Sequence, residues 1–486
     1  MASTGQNYRL EYDVTSYEPG IGFKMNMRIS NIAAAVALAG SLLTGCATVP
    51  RDSGFSDVEQ TVSDRLSQRI QWRQDSSEDR AADEAVAALL ANQLDKNSAV
   101  QIALLNNRRL QAVYEELGMA RAGLVQAGLL RNPVFGASIG FTEGGGSPDL
   151  RFSIVQDFLS ILYMPLRKRV AESEFAAAKL RVSGAVIDLS GDVGAAYYAL
   201  QAARQMLELR RQVAGASAAS LDAARRLRQA GNITGLDLDN EQALFINARL
   251  DVEAAKVVVT TRREHLNRLM GLSGATINWR IADRLPALST DRLDLKLLEA
   301  RAVESSLDLA IVRQDIETMG RRLGFTRASA LVPELELGAE GEREEGAWDI
   351  GPEIAFPIPL FDQGQARIAA ARSEVNRLRR IYVALASEIE SVARATRKRL
   401  VTARRMAGEY ERVALPLQAR IVEQTQLQYN AMQLGVFQLL ASFERQIDVG
   451  ERYVETLRDY WLARNDLERI LNGRMPDTSP IFEGTE

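Results

Sequence analysis

The sequence holds one cysteine and one histidine in 486 residues. No disulfide can form within one chain, and a structural zinc site built on those ligands is excluded. A Ser-His-Asp or Cys-His mechanism would have to use His265. That residue sits in the run Thr261-Arg262-Arg263-Glu264-His265-Leu266 and reads as a solvated helix-face side chain. No G-x-x-x-x-G-K-[ST] loop and no strand-linked G-x-G-x-x-G occurs, so nucleotide chemistry lacks its usual signature. Charge of one sign is missing too. Basic and acidic residues, 59 against 63, nearly cancel, without the basic bias of a nucleic-acid binder. What is present, 46% hydrophobic and 25% charged residues, suffices for a large core. These absences point away from an enzyme; no catalytic, cofactor or metal residue is expected.

The first fifty residues read as an address. Lys24 and Arg28 precede a mostly apolar run, Ile29 to Leu43, too short for a confident membrane span. It ends in Leu43-Thr44-Gly45-Cys46, and Cys46 is the sole thiol. This resembles a bacterial lipoprotein signal, in which the cysteine receives a diacylglycerol and, after cleavage, an acyl chain such as palmitate. Ala47 follows rather than Asp, which by the same resemblance implies sorting to the outer membrane. Residues 1–24 lie upstream of the signal, so Met25 and Met27 stand as alternative starts.

Beyond it the chain repeats itself. Asn132-Pro133 matches Val332-Pro333, Ser173-Glu174 matches Ser373-Glu374, and Gln229-Ala230-Gly231 faces Gln433-Leu434-Gly435. Leu269-Met270-Gly271 and Leu471-Asn472-Gly473 close the two copies. The expected organisation is an extension and signal over 1–45, a lipid-anchored linker over 46–96 with 53–83 extended, repeats over 97–273 and 274–473, and a loose tail over 474–486. The long segments carry a seven-residue seam. Val186, Leu189, Val193, Ala196, Leu200, Ala203 and Leu207 alternate spacings of three and four, as do Ile389, Ala393, Thr396, Leu400, Ala403 and Ala407. Such heptads specify coiled helix packing, and the Ala and Gly positions allow close approach. A helix from Leu166 to Ala230 would run about 100 Å. Pro416 should break or kink its helix.

Four shorter segments alternate with a period of two. Phe135, Ala137, Ile139 and Phe141 form one set, and Leu150, Phe152 and Ile154 a second. Leu335, Leu337 and Ala339 form the third, and Trp348, Ile350 and Ile354 the fourth. Two hairpins with one apolar face match the pattern of a membrane β-barrel. If that face meets lipid, the opposite face lines a lumen with Glu334, Glu336, Glu340, Asp349, Glu353 and Asp157, opposed chiefly by Arg151. Four strands cannot close a barrel, and an open edge in lipid is prohibitive. Three chains give twelve strands; two give eight, with an interior nearly filled by side chains. Strand counting leaves both open.

From Asn97 to Gly473 the arrangement resembles the TolC family of outer-membrane efflux proteins. The motifs that carry the resemblance surround the Gly turns: Arg225-Arg226-Leu227-Arg228-Gln229-Ala230-Gly231-Asn232-Ile233-Thr234-Gly235, and Tyr429-Asn430-Ala431-Met432-Gln433-Leu434-Gly435. Asn106-Asn107-Arg108-Arg109-Leu110 and Leu415-Pro416-Leu417 add to it. The resemblance implies an α+β membrane protein. Four strands per chain would enter a trimeric twelve-stranded outer-membrane barrel, continued by a long periplasmic coiled-coil helical barrel. It implies a homotrimer in outer-membrane lipid that works with a periplasmic adaptor and an inner-membrane pump. The job would be a passive exit duct without nucleic acid or cofactor. Gly231 and Gly435 would mark the periplasmic tips that meet the adaptor. Leu440 and Glu444 would form the apolar and acidic rings of a periplasmic gate, with Glu444 where many relatives carry Asp. The alternatives are a type I protein-secretion outlet of the same fold and a lipid-anchored periplasmic scaffold.

Overall fold

The computed structural model describes residues 49–141, 148–290, 295–331, 334–344 and 347–476. Cys46 with its signal, Val332-Pro333, most of the first hairpin turn and the tail from Asp477 lie outside the described residues. Two helices, α1 (Phe55–Leu66) and α2 (Ser77–Leu90), lead through strand β1 (Gln93–Leu94) to α3 (Lys96–Asn106) and α4 (Arg108–Ala127). A hairpin of β2 (Val134–Gly140) and β3 (Asp149–Asp157) then feeds α5 (Leu159–Gln229). At 71 residues, α5 is about 106 Å long. Its start is held by Asp157, whose carboxylate accepts the Ser160 amide at 3.1 Å. Pro165, in its second turn, leaves the Ile161 carbonyl without its i+4 amide donor. Helix α6 (Gly235–Met270) returns along α5, and strand β4 (Arg280–Ile281) pairs parallel with β1.

The second copy repeats the plan. Helices α7 (Leu298–Ser305) and α8 (Leu307–Leu331) precede β5 (Glu336–Glu344) and β6 (Ala347–Ala355). Helix α9 (Gln365–Glu409) ends in a π-helical turn over Tyr410–Ala414, and α10 (Leu415–Asn430) begins there. Pro416 near the start of α10 has no N–H to give the preceding turn, so the helix rewinds as the sequence requires. Helix α11 (Val436–Leu471) completes the fold.

The heptad seams are the core. Val186, Val193, Ala196 and Leu200 of α5 are buried, as are all six seam residues from Ile389 to Ala407 in α9. Between the seams lies an aromatic group in which Tyr198 stacks on Trp461 at 5.0 Å and Tyr460 meets the same ring edge-on. Trp461 Nε1 donates to the Pro286 carbonyl at 2.9 Å, and Tyr197 Oη donates to that of Leu94 at 3.0 Å. Both polar tips are therefore satisfied inside an apolar core.

Three expectations need correction. The segment over 53–83 is not an extended linker: α1 and the start of α2 occupy much of it. Val58 and Val62, one turn apart on α1, are fully buried, and Phe55 packs edge-on against Tyr114 and beside Trp72. Phe55, Val58, Val62 and Leu66 fall at helical spacing and form one apolar stripe against the core, a periodicity that the polar composition of the segment obscures. The tail does not begin at Arg474. Its guanidinium Nε donates to Asp188 at 2.9 Å and it also pairs with Asp308, while Met475 packs on the core. The third correction concerns the Gly turns. Ala230, Gly231 and Asn232 amides donate to the carbonyls of Arg226, Arg228 and Leu227; Ala431, Met432 and Gln433 donate to those of Leu427, Tyr429 and Gln428. The structural partner of Gly231 is thus Met432, and that of Gly435 is Thr234.

Candidate functional site

The sheet runs β2-β3-β5-β6, antiparallel throughout, so the two hairpins join through β3 and β5. Directly paired residues share a face. Ser138 pairs with Arg151, Arg151 with Glu342, and Glu342 with Asp349. Ser153 pairs with Glu340, and Gly338 with Glu353. One face therefore carries Asp149, Asp157, Glu336, Glu340, Glu342, Asp349 and Glu353. Arg151 alone is cationic there, its Nε 3.0 Å from Glu340 and its second contact 2.6 Å from Glu342. Glu342 escaped the sequence reading, although it continues the alternation of Glu336 and Glu340. Glu334 precedes β5, so the ladder does not fix its face.

The other face is mainly apolar and exposed, with Arg343, paired with Leu150 and Trp348, as the charged residue among its strand positions. Phe135 stacks with Phe152 at 6.2 Å, and Phe152 with Trp348 at 5.9 Å, an aromatic row across the strands. Ile350 is 74% exposed, and Phe356, Ile358, Leu360 and Phe361 extend the apolar surface below β6. A nine-residue strand spans about 30 Å and, at a tilt of about 40°, covers about 23 Å of membrane normal. That matches the apolar band of an outer-membrane barrel. No helix among the described residues is long and apolar enough to cross a membrane.

At the far end of the helices, Gly231 takes φ +75°, which glycine adopts at no steric cost. Thr234 then caps α6, its hydroxyl accepting the Asp237 amide at 3.1 Å while the Asp237 carboxylate accepts the Thr234 amide at 2.9 Å. The second turn reverses this chemistry. Met432 holds the left-handed conformation at φ +58° and is 95% exposed. Gly435 is extended at φ −80° and caps α11 without a side chain. Its role is therefore not the helix-ending one that glycine suggests. A side chain in the left-handed region costs roughly 1–2 kcal/mol. Met432→Gly should recover about 1 kcal/mol of that, slowing amide hydrogen exchange over residues 427–436 about fivefold; unchanged or faster exchange would contradict this reading.

Above these tips, Leu440 and Glu444 line a cleft of about 210 Å³ between α5, α6 and α11. Ser220 and Glu241 face them, and the Ser220 hydroxyl donates to the Glu241 carboxylate. Partial burial, then the charges of Glu241 and Asp448, push the Glu444 carboxyl above its ordinary range, while Arg445 pulls the other way. Protonation is thus easier here than at a free glutamate. Glu241 was not singled out from the sequence, though an acid seven residues before the seam residue Ala248 was an available signal. His265 approaches Arg268 at 2.8 Å, and burial with the neighbouring arginines lowers its pKa, so it stays a neutral helix residue at pH 7.

A four-stranded sheet with one mainly apolar and one acidic face, carried on helices of this length, is the architecture that a subunit of an outer-membrane channel calls for. Residues 166–272 match the family model described as Outer membrane efflux protein. The chain is 23% identical over 390 residues to the cobalt-zinc-cadmium resistance protein CzcC of Cupriavidus metallidurans, across 78% of this chain and 90% of that one. Its fold is similar to that of the Campylobacter jejuni CmeC outer membrane channel, with a TM-score of 0.63 at 14% identity, covering 85% and 92% of the two chains. It is also similar to the outer membrane protein VceC of Vibrio cholerae, with a TM-score of 0.62 at 14% identity over 81% and 96%. The family-model match is confined to residues 166–272, while the fold over most of the chain is similar to that of these outer membrane channels.

Proposed function

We propose that this protein is the outer-membrane channel subunit of a tripartite efflux system, a passive exit duct for cationic cargo. The observation that carries the reading is the two-faced sheet: a mainly apolar, aromatic face with Arg343 as its charged position on one side, a row of carboxylates on the other. Closure then calls for other copies, because β2 and β6 are free edges. Three chains are proposed, with the acidic face inward. The helices support this assembly. Leu236, Leu250 and Val257 lie on one heptad of α6 and are exposed in the single chain, where a neighbouring helix would cover them. A periplasmic adaptor at the tips and an inner-membrane pump supply contact and energy. Leu440 and Glu444 are proposed as the gate, with Glu241 and Ser220 as the groups that hold it.

The acidic face favours cations over anions, although a screening length of about 8 Å keeps the preference modest in a wide bore. CzcC is named for resistance to cobalt, zinc and cadmium, and divalent metal ions are the proposed cargo here. Cells lacking the protein should retain more Zn²⁺ or Co²⁺ after loading, and wild-type protein should restore efflux. Equal retention with and without the protein would refute the metal reading. In planar bilayers under a salt gradient, the duct should prefer cations. Glu336→Gln with Glu340→Gln should lower the cation-to-anion permeability ratio roughly twofold, and Arg151→Gln should raise it. Anion preference, or indifference to all three changes, would place the carboxylates outside the conducting path.

The N-terminus is proposed to be anchored through a thioether-linked lipid on Cys46. Cys46→Ser should abolish palmitate labelling while leaving part of the activity, because the barrel itself holds the membrane. An unmodified mature N-terminus by intact mass would rule the anchor out.

A further inference from the structure

Where the sheet meets the helices, an open groove of about 550 Å³ lies between the end of α4, the first turns of α5 and the last turns of α8. Leu129, Leu130 and Phe325 give it an apolar wall, Arg131, Arg167 and Arg322 give it a cationic one, and Glu174 is the acid in its lining. Two of these arginines already have acids: Arg131 lies 3.1 Å from Asp157, and Arg322 pairs with Glu174. Arg167 has none among the described residues. One of its terminal nitrogens donates to the carbonyls of Ser160 and Leu129 at 3.2 and 3.4 Å, and its buried Nε–H has no partner. A guanidinium without a carboxylate in a partly dry wall is costly unless an anion meets it.

The surroundings say which anion. Segments 129–131, 167–170 and 321–327 carry seven arginines and lysines and no aspartate or glutamate. Immediately beside them stand exposed apolar residues, Leu130, Phe158, Ile161 and Leu162, at the helix end of the sheet. The polar face of the sheet has the opposite sign, seven carboxylates against Arg151. A cationic collar touching an apolar belt fits an amphiphile whose head is anionic and whose tail is hydrocarbon.

We propose that this groove seats the phosphate headgroup of an anionic phospholipid, such as phosphatidylglycerol, from the periplasmic leaflet of the outer membrane. Arg167 and Arg322 meet the phosphate oxygens, and the acyl chains run up past Leu129 and Leu130 against the sheet. The assignment rests on the outer-membrane reading above, because only that reading puts lipid at this level of the molecule. The groove lies at the ends of the strands nearest the helices, whereas the hairpin turns and the lipopolysaccharide they would meet lie at the other ends.

The test uses full-length protein extracted from outer membranes in a nonionic detergent. Phosphatidylglycerol and phosphatidylcholine with the same acyl chains are added at equal concentration, and bound lipid is counted by native mass spectrometry. Wild-type protein should carry about fivefold more phosphatidylglycerol per arginine engaged, and 0.5 M NaCl should erase most of the excess. Arg167→Gln with Arg322→Gln should bring the two lipids to parity while the oligomer still fractionates with outer membranes. Arg327→Gln, a single change on the exposed collar, should give a partial loss if the double variant fails to fold. Equal uptake of the two lipids by wild-type protein, or a preference that survives the double variant, overturns the proposal. Displacement of the lipid by millimolar inorganic phosphate also overturns it, since the groove would then be a site for free phosphate. Absence of the protein from outer membranes would instead sink the channel reading, a separate result.

Discussion

A variant carrying Ser138→Cys together with Asp349→Cys should migrate as a covalent trimer on a non-reducing gel. The internal joint of the sheet sets Arg151 opposite Glu342 and Ser153 opposite Glu340. Strands β3 and β6 are each nine residues long and occupy equivalent places in the two copies. Carrying the β3–β5 register onto the free edges puts Ser138 of one chain opposite the partner's Asp349. Residues directly opposite across antiparallel strands have Cα atoms about 4.5–5.5 Å apart, within the span of a disulfide. The natural chain brings only Cys46, so the new thiols have little competition. Ile139→Cys with Asp349→Cys places the thiols on opposite faces and should give no cross-link. A product that stops at a covalent dimer would mean an eight-stranded closure, and uncoupled monomers would mean that the edges never meet.

The second large effect is expected far from the sheet. Gly191 and Gly194 of α5 face Asn465 and Arg469 of α11 at a point where the two helices approach closely. Asn465 Nδ2 donates to the Gly191 carbonyl at 2.9 Å, and Arg469 reaches Asp188 and Asp192 at 2.7 and 2.9 Å. A Cβ on Gly194 would overlap the Asn465 side-chain oxygen. Gly194→Leu therefore overfills the contact, at about 1–3 kcal/mol, and strands a buried amide, at about 1–3 kcal/mol more. We expect the thermal midpoint of the helical signal to fall by many degrees and the oligomer to lose its heat resistance. Gly194→Ala should be milder, and Asn465→Ala should offset part of its cost, because the two sites share one contact. A Gly194→Leu protein as heat-stable as wild type would show that the helices do not pack here as described.

Much of this was legible in the sequence, for physical reasons. A heptad is a direct image of a helix face, so residues such as Ile389, Ala393 and Thr396 are buried where the spacing places them. Strand alternation is equally direct: the apolar and acidic faces of the sheet follow from period two and from register, and Pro416 acts through its missing N–H. The misses have causes as well. Phe55, Val58, Val62 and Leu66 do carry a helical spacing, but it lies in a stretch judged by its polar composition, and the anchoring of Arg474 depends on Asp188 and Asp308, which are remote in sequence. Setting Gly231 opposite Gly435 misses the turn register, because the two glycines hold different backbone conformations. The second turn puts Met432 in the left-handed position and uses Gly435 three residues later. The acidic cleft at Glu444 takes its Glu241 from another helix, a proximity that spacing within one helix cannot reveal.

The joint between the two halves of one chain and the proposed joint between chains are the same kind of seam. A ring built this way counts hairpins, six in three chains, and could be built equally from six half-length chains. Fusing the halves has one effect that such a ring could not achieve. With identical units, every position around the ring carries the same features or none does. In the fused chain, one helical arm runs unbroken through α5 to a glycine turn, while the other is interrupted before Pro416 and ends in a turn strained at Met432. Alternate arms around the circumference can therefore differ in stiffness. A partner that grips all six tips would meet three rigid posts and three that yield.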